Sequence, residues 1–185
     1  MSERNAVTNI VIAGLGGQGI VTAADILTRA VFAAGYDVKQ SEIHGMSQRG
    51  GSVSSDVRFG ELVHSPMVPA GAADFLVITE STQVGPNRHR LKPGGRLITP
   101  DAAPFLFKDD DPVSAAKAAR MINVALLAVL SVHLDIAEPC WMDAIQECLP
   151  PALHDDNRRM FSHARAVEEI MGGLNAVSRP NQHEE

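Results

Sequence analysis

Two cysteines, Cys140 and Cys148, are all that this chain of 185 residues carries. They are too few, and spaced wrongly, for this chain alone to hold an iron–sulfur cluster or a structural zinc. The expected state is two buried or half-buried thiols on a helix in a reducing cytoplasm. Aromatic residues are scarce as well, at 4% of the chain. Core and interfaces must therefore rely on Ala, Val, Ile, Leu and Met rather than on Trp or Tyr anchors. Positive charge is in deficit: 16 Lys and Arg stand against 22 Asp and Glu, a net charge of −6. A nucleic-acid binder would carry the opposite balance. The most apolar run, "INVALLAVLSV" from Ile122 to Val132, is much too short to cross a bilayer. The start, "MSERNAVTNIVIAG", lacks the basic head and long apolar stretch of a signal peptide. These absences predict a cytoplasmic protein with no nucleic-acid and no membrane partner. The rest of the composition, 45% hydrophobic and 21% charged, suits one globular domain with a real core.

The first hundred residues punctuate as an α/β unit. Ile10–Ala13 is a short continuous apolar run, as for a strand buried on both faces. From Gly19 onward Ile20, Ala23, Ala24, Leu27, Ala30 and Val31 recur at helical spacing, and Gly35 is a C-cap candidate. A strand near Tyr36 and Val38 completes a βαβ opening. In "SVSSDVRFG" alternate residues Val53, Ser55, Val57 and Phe59 point one way, predicting a half-exposed strand. Gly60-Glu61 then reads as a tight turn into a short partner, Leu62–His64, making a hairpin. "DFLVITE" and "PGGRLITP" supply two further strands. After them come helices from Pro112, from near Pro139, and over "DDNRRMFSHARAVEEIMGG", which should stop at the glycine pair. The remainder, from about 174 to 185, reads as a polar tail. The expected fold class is α/β. It is a Rossmann-like three-layer domain over 1–185, with a mostly parallel sheet, a β-hairpin excursion and a helical C-terminal part.

Two loops carry the candidate chemistry. "GLGGQG" sets Gly14, Gly16 and Gly19 in a GxGxxG pattern, with Gly17 and Gln18 between, at a strand-to-helix junction. Such a turn lets phosphates approach the backbone and aims a helix N-terminus at them. The acid expected at the end of the second strand of a dinucleotide site is missing, since Lys39, Gln40 and Ser41 stand there and Glu42 lies beyond. Three readings stay open: a dinucleotide site, a site for another phosphate-bearing or polar ligand, and a purely structural turn. The second loop is "HGMSQRGGS", residues 44–52. His44 brings the one side-chain type whose charge can change near neutrality, Arg49 offers a rigid fork of donors, and Gly45, Gly50 and Gly51 free the backbone. Met46 and Gln48 complete the loop's distinctive side chains. A packed loop that only satisfies nearby carbonyls remains the plain alternative.

Taken together, "NIVIAGLGGQGIVTAADIL", "GYDVKQSEIHGMSQRGGSVSSDVRFG" and "SPMVPAGAADFLVITE" resemble the gamma subunit or domain of the 2-oxoacid:acceptor oxidoreductases. Within that family the likeness is to the small subunit of the indolepyruvate type. It is densest from Asn9 to Glu80 and continues through "LKPGGRLIT". The resemblance implies an enzyme that turns a 2-oxoacid and coenzyme A into an acyl-CoA and CO2, passing electrons to ferredoxin. Thiamine diphosphate and iron–sulfur clusters are then expected on a large partner subunit, with neither on this chain. It also implies a heteromer, self-association of the isolated chain, and no catalytic or metal-ligating residue here. Gly14, Gly16, Gly17, Gln18, Gly19, His44, Gly45, Met46, Gln48, Arg49, Gly50 and Gly51 become the residues expected to face coenzyme A or the partner. Met46, Met67 and Val68 are apolar interface candidates. Gly85 and Pro86 interrupt the segment after the fourth strand, where the family has a helix, so that helix should be short or broken. Alternatives are a gamma subunit acting on pyruvate or 2-oxoglutarate, an independent NAD-dependent dehydrogenase, and a nucleotide-sensing module.

Overall fold

In the computed structural model, which describes residues 7–45, 50–104 and 112–177 (backbone alone for 112–119 and 173–177), ten principal elements follow one another. They are β1 (Thr8–Leu15), α1 (Ile20–Ala33), β2 (Asp37–His44), β3 (Ser52–Gly60), β4 (Ala73–Ile78), α2 (Val84–Asn87), β5 (Leu91–Ile98), α3 (Pro112–Ser131), α4 (Glu138–Cys148) and α5 (His154–Val177). The five strands form one sheet in the order β2-β3-β1-β4-β5. β1, β4 and β5 pair in parallel, while β3 runs antiparallel to both β1 and β2. Four strands therefore share a direction, and their carboxyl ends share an edge. This is the mixed but mostly parallel α/β sheet that the sequence predicts.

β1 reads as apolar because both its faces are covered. Ile10 and Ile12 join the helical side of the core, and Val11 and Ala13 the other. The helical side is thick. α1, α3, α4 and α5 all contribute to a cluster in which Ile122 and Val124–Leu130 of α3 are buried without interruption. A helix apolar all round needs neighbours all round, and α3 has the sheet, α1 and α5 around it. The sole tryptophan, Trp141 of α4, is fully buried against Phe161 of α5, ring centroids 5.5 Å apart. The opposite face carries a thin layer, with Val68 and Val84 packed on Val11, Ala13, Leu76 and Ile78. α2 is a single turn flanked by 3-10 turns at Ser81–Gln83 and Arg88–Arg90. Gly85 and Pro86 break it as expected.

Several expectations need correction. The hairpin forms between β2 and β3, with Asp37 opposite Gly60 and His44 opposite Val53. Leu62–His64 is no strand. Its backbone is claimed by a side chain, since Val63 N–H donates to Asp37 Oδ2 at 2.7 Å. The same β3 separates β2 from β1, so the β1-α1-β2 opening joins strands that are codirectional but not adjacent. Nor is β3 half-exposed: Ser54, Ser55 and Asp56 are all buried. Asp56 is compensated by Arg90, whose Nη2 donates to both carboxylate oxygens at 2.7 and 2.6 Å, and by the Val68 N–H at 2.9 Å. A buried carboxylate paired in this way looks, in sequence, like a solvent-facing residue. Val68 is thereby core, not interface. Finally, α5 continues through the glycine pair to Val177. Glycine weakens a helix interior by only about 1 kcal/mol relative to alanine, less than packing elsewhere along a 24-residue helix can supply.

Candidate functional site

The glycine turn and the 44–52 loop meet at the carboxyl edge of the sheet. Gly16 N–H donates to the Gly51 carbonyl at 2.9 Å, and Gly45 N–H to the Ser52 carbonyl at 2.9 Å. β1 thus delivers its turn directly onto the loop end of the β2–β3 hairpin. His44 is exposed at that end, with Nε2 3.3 Å from Glu42 Oε2. Gly45 and Gly50 are exposed and Gly51 half-buried. Met46, Gln48 and Arg49 lie outside the described residues.

The glycines of the turn divide into two kinds. A Cβ at Gly14 would sit 2.0 Å from Thr79 Oγ1 and 2.8 Å from Gln18 Oε1; one at Gly19 would sit 2.4 Å from Asn123 Nδ2. Both are demanded by the chain's own packing. Gly19 is also the N-cap of α1 at φ 71°, where a side chain is strained. Asn123 Nδ2 donates to the Gly19 carbonyl at 3.1 Å and so moors the turn to α3. Gly16 and Gly17, by contrast, are exposed, and a Cβ on Gly17 would meet nothing. Their small size is not needed for internal packing.

Gln18 is turned inward. Its Oε1 accepts from the Leu15 N–H at 2.9 Å and from Thr79 Oγ1 at 2.8 Å, and its Nε2 reaches Glu80 Oε2 at 3.4 Å. The side chain that the pattern offered as ligand-facing instead ties the end of β1 to the end of β4. Thr79, Glu80 and Asn123 belong to this site and were not among the residues drawn from the sequence. "ITE" at the end of the fourth strand was a signal, because residues there must reach the switch between β1 and β4. Asn123 had none, being separated from Gly19 by 104 positions. Further along β2, Gln40 bonds to Thr28 Oγ1 at 2.7 Å and Asp25 Oδ1 at 3.0 Å. Its amide is committed to α1 rather than open to a ribose.

Elsewhere, among the described residues, the titratable groups do not come together as a reaction centre. Cys140 and Cys148 are free and half-buried on α4, and burial pushes the Cys148 thiol up, away from the nucleophilic thiolate. Among the described residues no three of His, Cys, Asp and Glu come together as metal ligands, and no helix is long and apolar enough to cross a membrane. What the edge can do is bind. It presents exposed backbone at Gly16 and Gly17, the N-terminus of α1, and the Glu42 and Glu80 carboxylates.

Known proteins resemble this chain in sequence and in fold. The chain is 52% identical to the indolepyruvate oxidoreductase subunit IorB of Thermococcus kodakarensis, over 89% of its own length and 98% of that subunit. It is 50% identical to the IorB subunit of Pyrococcus horikoshii over 49% of this chain and 45% of that one. Among solved structures, the keto/oxoacid ferredoxin oxidoreductase gamma subunit of Geobacter sulfurreducens superposes with a TM-score of 0.69 at 21% identity, over 89% of this chain and 98% of that one. A 2-oxoglutarate:ferredoxin oxidoreductase of Magnetococcus marinus gives 0.73 at 18% identity, over 89% of this chain but 31% of that longer one. These likenesses, at low identity, concern the fold. Residues 9–167 match the family model for pyruvate ferredoxin/flavodoxin oxidoreductase, and the chain belongs to that family.

Proposed function

We propose that this chain is the small subunit of an indolepyruvate-type 2-oxoacid:ferredoxin oxidoreductase, working in the cytoplasm as one domain and inactive alone. The observation that carries the reading is 52% identity across 98% of an archaeal subunit that bears the indolepyruvate name. A large partner subunit supplies thiamine diphosphate and iron–sulfur clusters, which perform the decarboxylation and carry electrons to ferredoxin. The half-exposed Cys140 and Cys148 pair suits no cluster. The carboxyl edge, with Gly16, Gly17, His44, Gly45, Gly50 and Gly51, faces the large subunit near the entry of coenzyme A. Arg49 holds either a coenzyme A phosphate or an acidic group of the partner. Met67, 56% exposed, has its carbonyl bonded by Arg58, which lies opposite Asn9 toward the amino end of β1, and would extend the contact beyond the carboxyl edge that Met46 adjoins in sequence; an isolated chain self-associates through that edge. A gamma subunit acting on pyruvate or 2-oxoglutarate is the second reading, favoured by the family model over residues 9–167, which bears the pyruvate name. An independent NAD-dependent enzyme is disfavoured, because Gln18 fills the turn and Gln40 is committed to α1.

The test is the reconstituted two-subunit enzyme offered indolepyruvate, pyruvate and 2-oxoglutarate in turn. The reading predicts the highest kcat/KM with the aryl-pyruvate; a clear preference for either of the other acids transfers the chain to the second reading. In the same enzyme Arg49→Ala should raise the KM for coenzyme A, or loosen the complex, by about ten- to a hundredfold. Wild-type values for both would remove Arg49 from the site.

A further inference from the structure

We propose that the groove between α4 and α5 binds a free α-amino acid with an apolar side chain, holding its ammonium on the α4 wall and its carboxylate on the α5 wall. The groove lies in the helical layer and shares no residue with the carboxyl edge, so the inference does not depend on the function proposed for that edge.

The first turns of α4 give one wall, with Glu138 and Asp143 on either side of Pro139 and Met142. The second turn of α5 gives the other, with Arg158, Arg159 and Ser162. The space between them is about 570 Å³, within the roughly 300–1,000 Å³ of small-molecule sites. Charge is sorted by wall: α4 brings only carboxylates to the groove, and α5 only guanidinium groups. Walls of opposite sign would be expected to close on each other. Yet among the described residues no ion pair joins any of these four side chains. The bond that does cross is Ser162 Oγ donating to Glu138 Oε1 at 3.2 Å. Arg158 is half-buried and still lacks a counter-charge, an arrangement that a bound carboxylate completes. An ion of one sign would satisfy one wall and be repelled by the other. A zwitterion satisfies both, and an α-amino acid carries its two charges on one small molecule. The floor between the walls is apolar. Met142 packs from it onto the core, and its thioether suits an aliphatic or aromatic side chain.

Three probes are titrated into the full chain and followed by amide chemical shifts. They are L-phenylalanine, N-acetyl-L-phenylalanine, which lacks the ammonium, and L-phenylalaninamide, which lacks the carboxylate. L-phenylalanine should saturate, with shifts at Met142, Asp143 and Ser162, and each analogue should bind about tenfold more weakly. The walls should be separable. Arg158→Gln with Arg159→Gln should abolish the preference over the amide and keep that over the N-acetyl form. Glu138→Gln with Asp143→Asn should do the converse. The single changes Arg159→Gln and Asp143→Asn, both at exposed positions, carry the same comparison should either pair not fold. Failure of L-phenylalanine to saturate, equal binding of the three probes, shifts outside the groove, or preferences that either set of changes leaves intact would each overturn the proposal. No arm involves the large subunit or a 2-oxoacid, so failure here and failure of the proposed function are distinguishable.

Discussion

Alanine at Gly14 would carry a methyl into the Thr79 hydroxyl, whereas alanine at Gly16 would meet only ordinary contacts, the nearest at 3.7 Å. Two glycines of one motif should thus respond differently. Gly14→Ala should cost about 1–3 kcal/mol by overpacking and lower the melting temperature by several degrees. Gly16→Ala should melt within about 0.5 kcal/mol of wild type yet weaken assembly with the large subunit, read by size-exclusion chromatography. Equal melting losses at both positions would contradict the division. At this scale the sequence was informative about which residues matter and poor about how. The spacing picked out the turn, but not that Gln18 faces inward. A glutamine's amide serves a ligand or the backbone equally well, and only the three-dimensional approach of Thr79 decides. His44 reads in sequence as the start of a loop leaving the second strand, whereas it ends a strand paired with β3, opposite Val53.

At the scale of elements, β3 and the α3–α5 junction depend on charges that the pattern conceals. Arg90, from the 3-10 turn after α2, reaches across to the buried Asp56 of β3. Removing one member of such a pair leaves the other uncompensated. Arg90→Ala should therefore destabilise by about 3–5 kcal/mol and lower the melting temperature by roughly 10 °C; a shift of a degree or two would show that Asp56 finds water instead. This pair is also why β3 was misread as half-exposed. "SVSSDVRFG" alternates as though one face met solvent, and the polar face is in fact covered by a segment more than 30 positions away. Helices were easier, because α1, α4 and most of α3 and α5 announce themselves by periodicity and by proline at the start.

His133, just beyond α3, stacks on Phe75 of β4 with ring centroids 6.3 Å apart. Its Nε2 lies 3.0 Å from Arg96 Nη1 and 3.1 Å from Glu168 Oε1. Unprotonated, that nitrogen accepts from Arg96; protonated, it donates to Glu168 but confronts the guanidinium. Burial first, and Arg96 second, hold the imidazole below its ordinary value despite Glu168. The native state therefore prefers neutral His133. Its contribution is complete above an unfolded value of about 6.5 and is lost as pH falls through the lowered native value. Melting curves from pH 8 to pH 5 should decline more steeply for wild type than for His133→Gln. An equal or steeper decline in the variant would contradict this assignment.

For the whole molecule, the account is of half an enzyme. The sheet, the helical layer and a net charge of −6 make a folded acidic body whose exposed carboxyl edge is open to a ligand or partner and, among the described residues, holds no reaction centre. Fold class and family were readable from three sequence stretches because their glycines and strand-end residues answer to fixed backbone needs. The contribution proposed for a partner was not readable, since cofactor chemistry on another chain would leave only a surface here. The most direct measurement is ferredoxin reduction by the purified large subunit, with indolepyruvate and coenzyme A present, as this chain is titrated in. The rate should be negligible without it, rise with each addition, and level off at a fixed stoichiometric ratio. A large subunit that is fully active alone, or a rate that this chain leaves unchanged, would contradict the account.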